Sequence, residues 1–93
     1  MFVMLLKLDL HIPQSNSLKH KRMILNSLKG KLRNKFNISV SEVGELDKWQ
    51  RATIVISHVA VERKDAARSA EKILNFVGTF NGAELLMHET EIL

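Results

Sequence analysis

Asn37-Ile38-Ser39-Val40-Ser41-Glu42-Val43, then Gly44-Glu45-Leu46-Asp47-Lys48, then Trp49 and Gln50 through Val61 form the stretch that decides the fold. The first part reads as a short strand with Ile38 and Val40 facing inward. Gly44 to Lys48 supplies a turn. From Gln50 to Val61 the residues alternate again: Ala52, Ile54 and Ile56 share one face, and Arg51, Thr53, Val55 and Ser57 the other. Two alternating runs about a short polar connection predict a hairpin. What flanks this hairpin on each side then fixes the architecture.

On the N-terminal side, residues 18–36 place Leu18, Ile24, Leu25, Leu28, Leu32 and Phe36 on one broad side at the helical period. Gln14-Ser15-Asn16-Ser17 before it is rich in residues that cap helices. Further upstream, residues 2–12 end in a clear alternation, with Leu6, Leu8, Leu10 and Ile12 on one face and Lys7, Asp9 and His11 on the other. Pro13 closes that strand. On the C-terminal side, residues 63–78 gather Ala66, Ala70, Ile73, Leu74 and Val77 on one side of a second helix. Phe80 and Gly82 end it, and residues 83–92 read as a last strand.

The order strand, helix, strand, strand, helix, strand is the split βαβ pattern. It predicts a ferredoxin-like α+β fold: a four-stranded antiparallel sheet with both helices on one face. The chain has 93 residues, which leaves room for one domain over 1–93. Its 45% apolar and 26% charged content lies far from the disordered regime. The chain contains no cysteine, which removes disulfides and thiolate metal sites. The apolar run Phe2-Val3-Met4-Leu5-Leu6 is too short to span a bilayer, so it is read as a buried strand of a cytoplasmic protein with no membrane role.

Charge is divided unevenly along the chain. Residues 1–41 carry eight basic and one acidic side chain, a net of +7, whereas residues 42–93 net −3. Between Asp9 and Glu42 there is no acidic residue. A one-signed segment of this length points to an anionic partner.

The candidates for anion or nucleic-acid binding are Lys19, Lys21, Arg22, Lys29 and Arg33. Leu18-Lys19-His20-Lys21-Arg22 puts cations in the first turns of a helix, where the dipole disfavours them by about 0.3–1 kcal/mol each. Free N–H groups and basic side chains together suit a phosphate. By helical angle Lys21 falls inside the apolar side, so it either snorkels over the helix end or is aimed at a particular group. Arg22, Asn26, Lys29 and Arg33 continue as a polar stripe along one flank, which suits a nucleic-acid backbone; an ordinary solvated flank has the same spacing. Trp49 and Arg51 are candidate interaction residues. Trp49 is expected mainly to cover the end of the core, with base stacking or a protein contact as the lesser reading.

Several classes of chemistry find no support. His11, His20, His58 and His88 share no ligand spacing, and His11 and His58 have opposite strand parity, so no metal site is expected. No nucleophile signature or glycine-rich phosphate loop occurs, so neither an enzyme, a cofactor nor a small-molecule substrate is expected.

Five segments resemble one family when taken in order: Leu8 to Pro13, Ser17 to Arg22, Leu32 to Asn37, Ser41 to Gly44, and Asp47 to Ala52. Together they are similar to the YlxP-like family, a bacterial family of unknown function. That resemblance implies a ferredoxin-like fold and a gene neighbourhood shared with translation-initiation and ribosome-maturation genes. It brings no catalytic residue. One departure is His20, where the family more often has Glu. A Glu there would complete a capping box with Ser17. His20 is expected to do this less well, leaving a helix start that is less firmly capped, and more positive if His20 is protonated.

Three functions follow as expectations. The first is a binding module for RNA or a ribosomal subunit. The sheet face is a poor RNA-recognition-motif platform, because the outward residues Lys7, Asp9, His11, Ser39, Ser41, Thr53 and Ser57 include no aromatic. Phosphate contacts would then dominate. The second is a homodimeric protein-interaction domain using the open sheet face, where Val55, Val59 and Leu5 or Val3 add apolar surface. An enzyme or small-ligand regulator ranks last, since only fold analogy suggests it.

Overall fold

The computed structural model describes all 93 residues. Its elements are β1 (Phe2–His11), α1 (Leu18–Lys35), β2 (Ser39–Gly44), β3 (Arg51–Ala60), α2 (Arg63–Gly78) and β4 (Glu84–Ile92). The order is the expected one, and the boundaries move by only one or two residues. The four strands form one antiparallel sheet in the order β2-β3-β1-β4. The fold is therefore ferredoxin-like α+β.

Strand alternation sets the register. Leu6, Leu8 and Leu10 of β1 stand opposite Ile56, Ile54 and Ala52 of β3, and all six are buried. Slipping β1 by one residue would drive Lys7 and Asp9 into that layer, so the pairing is strongly specified. On the other face Asp9 accepts a 2.7 Å hydrogen bond from Thr53 Oγ1. Register shifts occur in β4 opposite Asp9 and Leu10, and in β2 between Glu42 and Gly44. Both edge strands are thus irregular, which discourages pairing with another sheet.

Both helices cover the same face. From α1 come Leu25, Leu28 and Leu32, and from α2 come Ala66, Ala70, Ile73 and Val77, all in the core with the inward residues of the sheet. Alanines on α2 let that helix lie close to the strands. Ser17 caps α1, its Oγ accepting from the His20 N–H at 2.9 Å. His20 in turn reaches back: its Nδ1 accepts from the Asn16 N–H at 3.3 Å. The histidine therefore does half of a capping box after all, one residue further upstream than Glu would. The Ser17 N–H itself donates no bond to His20, in keeping with the expected weaker capping box.

No helix is long and apolar enough to cross a membrane.

Candidate nucleic-acid interface

The α1 side chains divide into three sets once the helix is docked. The set facing the sheet is apolar except for Lys21. That lysine is 1% exposed. Its Nζ donates to the carbonyls of Glu45 at 2.9 Å and Arg51 at 3.2 Å. It also lies 2.9 Å from Glu42 Oε2, on the inward face of β2. That oxygen is buried and has no aligned hydrogen-bond donor, so the contact is an ion pair in which charge matters more than direction. Of the two sequence readings for Lys21, the aimed one holds, but its target is internal. Lys21 is withdrawn from the cations offered to a partner, because its charge and donors are committed inside the chain.

A second set runs along the flank toward β2. Lys19, Arg22 and Arg33 are exposed and Lys29 is half-buried. Arg33 donates from Nη2 to the Val40 carbonyl at 3.2 Å, which fixes the flank against β2. None of the four is ion-paired; the paired lysines and arginines are Lys21, Lys48, Lys64 and Arg68. The predicted stripe is thus present, with Asn26 exposed among its members. Its first turn contains no acidic residue, and Arg33 and Lys35 stand in its last turn, where cations suit the dipole.

The third set faces α2, and the sequence reading missed it. Lys31 Nζ lies 5.6 Å from the Phe80 ring centroid, and Lys35 Nζ 4.9 Å from that of Phe76. Phe36 and Phe76 meet edge to face, with centroids 5.8 Å apart. Lys35, Phe36 and Phe76 border an open groove between the C-terminal ends of the helices, about 590 Å³ in volume. The available signal was aromatic and basic residues within a turn of each other in both helices, at Lys35-Phe36 and Lys72 to Phe76. Only the docking of α1 beside α2 makes that signal a site.

Trp49 does not cover the core. It is 56% exposed and shares the β2–β3 connection with Leu46, also 56% exposed. The connection is held by backbone and by Lys21 instead, which frees the indole. Gln50 Nε2 further ties it down, donating to the carbonyls of Pro13 at 3.1 Å and Ser15 at 3.2 Å. Arg51 is exposed at the start of β3, opposite His11. Through its carbonyl's bond to Lys21 it adjoins the N-terminal half of α1. Trp49 and Arg51 therefore sit near the start of the basic helix and far along it from Arg33.

The open sheet face has a different character. Leu5 and Val55 lie half-buried at its centre, and Val43, Val59 and Met87 are more than half exposed around them. Glu89 and Glu91 of β4 stand opposite Lys7 and Leu5. The face carries no aromatic ring, and its β4 edge is acidic. The unpaired cations of α1 therefore lie on the helical side and the carboxylates of β4 at the sheet edge.

Residues 3–90 match the family described as Protein of unknown function (DUF503). The chain belongs to that family. It is also 35% identical over 80 residues to the Uncharacterized protein YlxP of Bacillus subtilis (strain 168), covering 86% of this chain and 87% of that protein. The resemblance carried by the five segments is therefore a true family relation. Among solved structures, the De novo designed protein Foldit4 superposes with a TM-score of 0.54 at 12% identity, covering 100% of this chain and 97% of that one. A likeness at that identity concerns the fold alone. DUF503 membership places no activity on any residue, so the functional reading rests on the charge and geometry of α1.

Proposed function

We propose that this chain is a non-catalytic RNA-binding module, associated with ribosomal RNA or a ribosomal subunit, that holds phosphates along α1. The observation that supports this is the row Lys19, Arg22, Lys29 and Arg33, none of which has a carboxylate partner. Arg22 offers forked donors that match phosphate geometry, Arg33 the donors its bond to Val40 leaves free, and the lysines add point charges. Such contacts position a backbone without reading its bases, so sequence preference is weak. The translation-linked gene neighbourhood implied by the family resemblance points to ribosomal RNA.

Co-sedimentation with ribosomal subunits over a salt series tests this. Four phosphate contacts give a slope of log K against log salt of about −3. Binding then falls about 50-fold between roughly 50 and 200 mM salt. A Lys19→Ala, Arg22→Ala variant should halve the slope. Binding that is indifferent to salt, or unchanged in the variant, overturns the reading.

A second reading, a homodimer through the open sheet face, draws on the exposed Val43, Val59 and Met87 around Leu5 and Val55. It is compatible with the first, since α1 lies on the opposite side of the sheet. Light scattering that finds a monomer at high protein concentration removes it.

A further inference from the structure

The groove between the C-terminal ends of α1 and α2 combines what a phosphate-bearing base needs. Phe36 and Phe76 form one wall, with planes at 80°. Lys35, Lys72, Asn75 and Thr79 complete the lining, and no carboxylate is among them. Neither lysine has an acidic partner anywhere in the chain. The groove is open to solvent, with a volume of about 590 Å³. Aromatic faces interleaved with cations are the working parts of single-strand binding surfaces. An acidic peptide would use the lysines but leave the rings idle.

We infer that this groove is a nucleotide pocket, in which a base stacks on the Phe76 ring and its phosphate is held by Lys35 and Lys72. The inference deepens the RNA-binding reading and rests on it for the source of the nucleotide. Arg33 and Lys35 both stand in the last turn of α1. A strand gripped along the flank toward β2 therefore needs only to cross the helix end to enter the groove. Lys35 Nζ stands over the Phe76 ring at 4.9 Å. An arriving base takes that ring face, and the displaced ammonium meets the phosphate, so the cation exchanges one partner for another. The Asn75 amide carries both a donor and an acceptor for a base edge. This pocket supplies the stacking that the open sheet face lacks, and it makes single strands better ligands than duplexes, whose bases are already stacked.

The test measures fluorescence anisotropy of a labelled single-stranded RNA decamer and of its duplex. The proteins are the full chain, Phe76→Leu, Lys72→Gln, and the Lys19→Ala, Arg22→Ala variant. Wild type should prefer the single strand. Phe76→Leu should weaken single-strand binding about 5- to 150-fold, the span of one base–aromatic stack, and leave duplex binding unchanged. Lys72→Gln, at an exposed position, should lower the single-strand salt slope by about 0.7 even where Phe76→Leu compromises folding. In parallel, amide NMR shifts are followed during titration with AMP and with inorganic phosphate. Shifts at Phe76 and Thr79 with AMP, absent with phosphate, support a pocket that takes the base. Equal shifts with both ligands overturn it in favour of a bare anion site. RNA binding that survives both groove variants but falls in the double variant overturns the pocket and keeps the α1 flank. Loss in the groove variants alone does the reverse. If neither RNA nor AMP perturbs the chain, both readings fall.

Discussion

Lys21→Met would leave the Glu42 carboxylate among the carbonyls of Glu45 and Arg51 with no counter-charge. The lysine side chain is 1% exposed and that of Glu42 13%. Three contacts vanish together, at 2.9 Å to Glu42, 2.9 Å to the Glu45 carbonyl and 3.2 Å to the Arg51 carbonyl. Removing one partner of a buried ion pair costs about 3–5 kcal/mol. Glu42 keeps a little exposure through which water can relieve it, so the lower end, about 3 kcal/mol, is expected. A domain of this size has a total stability on the order of 5–10 kcal/mol, so the loss would be a large share of it. The corresponding fall in Tm is about 12–24 °C. Adding Glu42→Leu to Lys21→Met removes the stranded charge and should restore about half of the loss. Full recovery is blocked because the two carbonyls still lack their donor. Urea unfolding of the two single variants and the double variant, followed by far-UV circular dichroism, measures the cycle. A Lys21→Met chain that unfolds at the wild-type urea concentration refutes the internal role. If that stable chain also bound RNA less well, Lys21 would return to the set of phosphate ligands.

Two other substitutions probe the ends of the helices. Ser17→Ala deletes the oxygen that accepts from the His20 N–H at 2.9 Å and should cost about 1 kcal/mol, or roughly 4–8 °C in Tm; an unchanged melt would mean that His20 and Asn16 cap α1 alone. Gly82→Ala places a Cβ 2.8 Å from Phe80 Cε2 and 3.0 Å from Ile24 Cγ2. It should destabilise by about 1–3 kcal/mol, nearer the lower figure because the Phe80 ring is only half-buried. A melt equal to wild type would show that the ring swings aside without loss.

Strand parity made the sheet legible: Leu6 to Ile12 alternate without a break, Ala52, Ile54 and Ile56 share one face, and the two helices have one apolar side each. The ion pair was half legible. Lys21 stands out on an apolar helix side, and Glu42 has the same inward parity as Ile38 and Val40. Two opposite charges at inward positions of neighbouring elements point to each other, although 21 residues separate them. Trp49 misled for a physical reason. A lone tryptophan is usually buried for its area, but here Lys21 and Gln50 hold the hairpin end by hydrogen bonds, so no apolar cover is required. His20 does not take the place of Glu at the Ser17 N–H, as its ring geometry suggests, and bonds the N–H of Asn16. The groove could not be read from the sequence, since Phe36 and Phe76 are brought together only by helix packing.

The cost of cations at the start of α1 separates structural from functional charge. Lys21 recovers its cost inside the chain, from Glu42 and two carbonyls. Lys19 and Arg22 have no such compensation. They face an unfavourable dipole, about 0.3–1 kcal/mol each, and no carboxylate pairs with them. Acidic side chains in that first turn would have stabilised the helix, and there are none. An anion bound beside Lys19 and Arg22 reverses the sign of this arrangement, because it satisfies the dipole and both cations at once. The same residues that weaken the free helix would then strengthen the complex. A stabilisation of the helix by added anion, measured by its melt, would separate a binding flank from a merely solvated one, and Lys21 shows what a cation in this turn looks like when the fold itself is its partner.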